Sequence, residues 1–69
     1  MIVTNKVKII REEKVITQNE LAHSLDVSRQ TIHAIEKGRY NPSLKLSLKM
    51  ATLFDLPVEE IFNLEGEYK

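Results

Sequence analysis

The sequence predicts an all-α domain built from five short helices. Three observations carry that expectation. Helix formers dominate a chain with only two Gly, two Pro, two Tyr and two Phe. Apolar residues recur mostly at helical spacings of three and four. Start and stop signals with defined mechanisms divide the chain, at Thr17, Ser28, Gly38, Pro42 and Pro57. The 69 residues leave room for one core, so the whole chain reads as a single domain. A domain this short buries roughly 60% of its extended-chain surface. With no cysteine, a disulfide framework, a cysteine-zinc site and a thiol nucleophile are excluded. Small domains without such staples lean on partner subunits, so a homodimer is expected.

The first helix is expected over about residues 5–14, with Val7, Ile10 and Lys14 at helical spacing, Ile9 beside them, and Thr4 or Asn5 as cap. Thr17-Gln18-Asn19-Glu20 fits the S/T-x-x-E capping box that opens a second helix. Its stripe of Leu21, Ala22 and Leu25 ends at Asp26, a residue type that tolerates the left-handed conformation of a sharp turn. Val27 would plug the corner and Ser28 would cap the third helix. Ile32 and Ile35 point inward there, and Gly38 is placed to end the helix in a left-handed conformation. Pro42 breaks the chain and Ser43 can cap a fourth helix running to about Phe54. Apolar residues on two faces (Leu44, Leu48, Ala51 and Leu46, Met50, Leu53) predict that this is the most buried helix. Pro57 stops it, and "VEEIF" makes a short fifth helix with Glu59 and Glu60 where the helix dipole favours acids. The β-prone "MIV" can pair with a tail that turns back at Gly66, giving a small antiparallel sheet.

A formal net charge of zero conceals an uneven distribution. Residues 1–49 hold nine Lys or Arg against five acids, and residues 50–69 hold one Lys against five acids. Phosphates feel the local field within roughly 10 Å at moderate salt, so the total does not exclude a nucleic-acid partner for the first part. The N-terminus lacks a signal-peptide core, and no stretch approaches the ~20 apolar residues of a membrane span. A soluble, cytoplasmic protein is expected.

Burying Leu21, Leu25, Val27, Ile32 and Ile35 is the packing pattern of a helix-turn-helix over about residues 17–37. It leaves Ser28, Arg29, Gln30, His33, Ala34 and Lys37 pointing outward, on a helix of a width that fits the major groove. Arg29 can bond a guanine bidentately and Gln30 an adenine. Ala34 permits close approach and contact with a thymine methyl, and His33 can add a hydrogen bond. Ser28 can reach a phosphate or base. Thr17, Gln18 and the amides at the second helix's start can hold a phosphate on one side, as can Lys37, Arg39 and Asn41 on the other.

The stretch "TQNELAHSLDVSRQTIHAIEKGRYNPSL" resembles the lambda-repressor-like, or Cro/cI (XRE), helix-turn-helix family, with similarity from about Asn5 to Phe62. Its short length and tail resemble small regulators of the cytolysin-repressor type. The resemblance implies a five-helix domain with a small sheet from the chain ends, and a homodimer on an inverted repeat. By position it implies a phosphate-binding Gln18, base-reading Ser28, Arg29, Gln30 and Ala34, and a structural Arg11–Glu36 pair. Asp26 departs from the Gly that many relatives carry, which sets a negative charge near the DNA side.

Other features carry no chemistry. His23 and His33 lie on different helices with no Cys to complete a metal site, and adjacent Glu59 and Glu60 diverge on a helix. No phosphate-cradling Gly loop or nucleophile elbow is present, so no enzyme, cofactor, metal or small-molecule ligand is expected. The expectation is a homodimeric repressor of double-stranded DNA, with dimerisation elements over about 54–69 and Asn41, Leu56, Pro57, Val58 and Ile61 at the interface. Two half-sites would lie about 34 Å apart. An antitoxin that represses its own operon is an alternative, against which the lack of a long disordered tail counts. A helical interaction module without DNA binding is another.

Overall fold

Residues 1–66 are described by a computed structural model. The elements run β1 (Ile2–Asn5), α1 (Val7–Glu13), α2 (Gln18–Leu25), α3 (Arg29–Glu36), α4 (Leu44–Phe54), α5 (Val58–Ile61) and β2 (Phe62–Glu65). Five helices thus surround one core, with the two chain ends paired antiparallel from Ile2↔Glu65 to Asn5↔Phe62. The Lys6 amide continues the ladder to the Ile61 carbonyl at 2.8 Å. The core is a contiguous cluster drawn from every helix: Val7, Leu21, Leu25, Ile32, Ile35, Met50, Phe54 and Ile61 are its largest fully buried members.

The starts of three helices follow their sequence signals. Thr17 Oγ1 accepts the Glu20 amide at 3.0 Å while Glu20 Oε1 accepts the Thr17 amide at 2.9 Å, completing the capping box. Ser28 and Ser43 cap α3 and α4 through the amides of Thr31 and Leu46, each at 3.1 Å. α1 departs from expectation, because the chain stays extended through Asn5 to pair with β2 and the helix begins at Val7. Thr4 therefore lies in a strand. Asn5, also in the strand, still accepts the Val7 amide at 3.1 Å and donates to the Ile35 carbonyl at 2.8 Å, tying the strand to α3. Ile9 is exposed.

Four helices end alike, on a residue with left-handed backbone: Val15, Asp26, Gly38 and Asp55, at φ of 57°, 58°, 73° and 56°. In each, the left-handed residue and its successor turn their amides back onto the helix, as for Gly38 on Ile35 (3.0 Å) and Arg39 on Ala34 (2.9 Å). Gly38 takes this backbone without a Cβ to strain it. Val15 takes it with a β-branched side chain, the least suited type.

The expectation that α4 is the most buried helix fails on one face. Leu46, Ser47, Met50 and Phe54 are buried and Ala51 packs against the core, but Leu44, Leu48 and Leu53 stay exposed. A helix at the edge of so small a domain has neighbours on one side only, so its second apolar stripe meets solvent. The leucines line an open apolar groove with Ser24, Leu25, Lys45, Lys49 and Thr52. At the C-terminus, the tail forms β2 directly after α5, and Gly66 follows it in a left-handed conformation. A tail hairpin beyond Gly66, and the last part of the expected dimerisation segment, lie outside the described residues. No helix among the described residues is long and apolar enough to cross a membrane.

Candidate nucleic-acid interface

The α2–α3 corner is set by its end residues. Asp26 closes α2, Val27 packs against the core, and Ser28 opens α3. The buried face of α3 is spent on Ile32 and Ile35. Its opposite face therefore presents Arg29, Gln30, His33 and Lys37, all exposed, with the small Ala34 half-buried. Arg39, Tyr40 and Asn41 continue this exposed surface along the chain.

The electrostatics of that face follow from one inward turn. Glu36, the only acid in α3, points away from solvent with its side chain 3% exposed. It meets Arg11 of α1 in a bidentate pair, Nε to Oε2 at 2.7 Å and Nη2 to Oε1 at 3.3 Å. Arg11 Nη1 also donates to the Ile16 carbonyl at 2.8 Å. The hydrogen bond to Glu36, opposed by burial, raises the Arg11 pKa above its ordinary value. With its only carboxylate neutralised inside, the outer face of α3 carries Arg29 and Lys37 without an opposing acid. Asp26, the departure noted in the sequence, lines a depression shared with Lys45 and Lys49, between the corner and α4.

The structure brings Gln18 to this pair. Gln18 Nε2 donates to Glu36 Oε1 at 3.0 Å, and Gln18 Oε1 accepts from Arg29 Nη1 at 3.2 Å. Ser28 and Thr17, expected to reach DNA, use their hydroxyls as helix caps, and Ser28 Oγ also lies 2.9 Å from Thr31 Oγ1. The capping box occupies the Thr17 and Glu20 amides and leaves those of Gln18 and Asn19 as the first-turn donors. The same hydrogen bonds lower the Glu20 pKa, the Thr17 amide contributing most.

Sequence reasoning missed three contacts that set this geometry. Asn5 to Ile35 spans thirty positions, Gln18 to Glu36 eighteen, and Lys49 donates to the Leu25 carbonyl at 3.0 Å, steadying the end of α2 from α4. None has a local signal. Of the expected dimer residues, Asn41 and Pro57 are exposed, and Leu56 and Val58 half-buried. Ile61 is corrected: it is fully buried in this chain's own core and has no surface to offer a partner.

Comparison with known proteins places this geometry among relatives. A helix-turn-helix family model matches residues 7–61. An uncharacterised HTH-type transcriptional regulator of Methanocaldococcus jannaschii is 52% identical over 63 residues, covering 91% of this chain and 96% of that protein. The immunity repressor protein of Bacillus phage phi105 is 37% identical over 65 residues, 94% of this chain but only 45% of the repressor. Among solved structures, a putative DNA-binding protein from Bacteroides fragilis superposes with a TM-score of 0.82 at 27% identity, over 90% of this chain and all of that one. The restriction-modification controller protein of Aeromonas hydrophila gives 0.73 at 31% identity, over 80% of this chain and 83% of its own.

Proposed function

The chain belongs to the Cro/cI (XRE) helix-turn-helix family of DNA-binding transcriptional regulators and is not an enzyme, and from that premise we propose that it is a homodimeric repressor reading an inverted repeat. α3 lies in the major groove, where Arg29 and Gln30 read base edges, Ala34 approaches a thymine methyl, and Ser28 and His33 add polar contacts. Thr17, Gln18 and the first-turn amides of α2 hold one phosphate run, and Lys37, Arg39 and Asn41 hold the next. The observation that carries this reading is the outer face of α3, which exposes Arg29, Gln30, His33 and Lys37 while its one acid is paired inside with Arg11.

A second copy docks through the acidic C-terminal third, with Asn41, Leu56, Pro57 and Val58 at the contact and the exposed Leu44 and Leu48 of α4 extending it. The two α3 helices then stand about 34 Å apart, one turn of DNA. Residues 1–69 form a single DNA-binding domain, with its helix-turn-helix at about 17–37.

The test is a fluorescence-anisotropy titration of the DNA upstream of the protein's own gene against scrambled duplex, at about 50 and 200 mM salt. Tight, salt-sensitive binding that prefers the upstream DNA is expected. Equal, weak binding to both duplexes would place the operator elsewhere and call for selection from a random library. No binding to either would overturn the reading in favour of a helical interaction module.

A further inference from the structure

The contacts around Glu36 form a directed chain. Arg11 donates twice to the carboxylate, Gln18 Nε2 donates to its Oε1, and Arg29 Nη1 donates to Gln18 Oε1. We infer that Glu36, buried and unable to touch DNA itself, is a positioning residue that sets base preference at Arg29 through the amide of Gln18. The inference rests on the reading of Arg29 as a base-reading residue given above.

The physical argument turns on polarity. A carboxylate only accepts hydrogen bonds, whereas a glutamine amide has a donor end and an acceptor end. The Glu36 side chain is only 3% exposed, so the donor end of Gln18 is the end that can face it. The reverse orientation would set two acceptors against each other in a desolvated site. The Gln18 carbonyl is thereby turned outward, where it receives the guanidinium of Arg29. Were the amide free to flip, its NH2 group would face Arg29 and repel the same group. Exposed arginine carries large rotamer entropy, and a side chain held in place before binding loses less on reaching a guanine. The second Nε2 hydrogen of Gln18 stays available for a phosphate, so one amide serves both contacts.

The two replacements that test this are Glu36→Gln, which keeps the shape but lets Gln18 face either way, and Gln18→Met, which keeps the Arg11–Glu36 pair and removes the amide. The readout is the ratio of affinities for the best and worst base at the operator position where Arg29→Ala relaxes preference. Each single variant is expected to lower that ratio about tenfold, within the range one bidentate base contact supplies. The double variant should lower it no further than Gln18→Met, because both act through one path. Preference at positions read by Gln30 should persist. Affinity of Glu36→Gln for scrambled duplex should hold or rise, since a negative charge is lost.

A folded Glu36→Gln or Gln18→Met protein that keeps the wild-type ratio overturns the inference. So does a loss spread evenly over all positions, the mark of a loosened fold. If Glu36→Gln melts below the assay temperature, its ratio is read at a lower temperature at which it is folded, beside the wild type and Gln18→Met. A wild-type protein without base preference anywhere would instead overturn the regulator reading, and the wild-type titration shows that before any variant is made.

Discussion

Replacing Val15 with glycine should stabilise the protein. Val15 sits at φ 57° in the left-handed turn that ends α1, with its side chain in solvent at 87% exposure. A residue with a Cβ gives up about 1–2 kcal/mol in that conformation, and a β-branched residue lies at the upper end. Glycine removes the strain but adds backbone freedom to the unfolded chain, which costs about 0.5–1 kcal/mol. The little surface that Val15 buries is worth roughly 0.5 kcal/mol at most. The balance is a gain of about 0.5–1 kcal/mol, which for a domain of this size raises Tm by about 2–8 °C. Thermal unfolding followed by circular dichroism, at one fixed protein concentration because self-association would make Tm depend on it, reads the shift. Val15→Ala is the control: it keeps a Cβ in the left-handed region and should gain less. A Val15→Gly protein no more stable than the wild type, or matched by Val15→Ala, would refute the strain argument.

Other perturbations probe the remaining contacts. Arg29→Ala should cost about 1–3 kcal/mol of binding and relax preference at one base position, whereas Gln18→Ala should weaken binding to scrambled as well as specific duplex; titrations on an operator library compare the two. Arg11→Met leaves the Glu36 carboxylate buried without its cation and should cost about 3–5 kcal/mol in urea unfolding, while Arg11→Met/Glu36→Leu should recover most of that loss. Glu20 has its pKa held below the ordinary value of 4.5 in the folded state. Its stabilising contribution is therefore complete above that value and is lost as pH falls through the lower, folded one. Urea midpoints measured from pH 5 to 3 should show a smaller acid-side decline in Glu20→Gln, which keeps the cap without a titrating group; an unchanged decline would assign the effect to other carboxylates.

The local parts of the fold were legible because their causes are local. A capping box, two serine caps, Asp26 and Gly38 each act within four residues, and each stands where its chemistry requires. The helix-turn-helix followed, since Leu21, Leu25, Ile32 and Ile35 leave one arrangement that buries them together. What could not be read depended on distance along the chain. The strand Ile2–Asn5 displaced the start of α1 because its partner lies about sixty residues on. The outer leucines of α4 looked like core because periodicity reports a helix's faces and not how many neighbours it has. Ile61 looked like interface for the opposite reason: a four-residue helix gives too short a pattern to tell inward from outward. In the candidate site, the exposed members of α3 were evident, but the Gln18 amide joining Glu36 to Arg29 was not. Hydrogen bonding between side chains on two different helices leaves no periodic trace.

The pairing of the chain ends has a kinetic consequence. Apart from β1 with β2, much of the packing joins neighbours in sequence, such as α2 with α3 and α4 with α5. Local contacts form fast, whereas closing a loop of nearly the whole chain is entropically slow. The sheet should therefore zip last, after the helices have placed Lys6 beside Ile61. Substitutions along Ile2–Asn5 would then speed unfolding while leaving the folding rate almost untouched. The ends of the protein act as a latch on an already assembled reader of DNA, setting how long each folded molecule lasts rather than how quickly it arises.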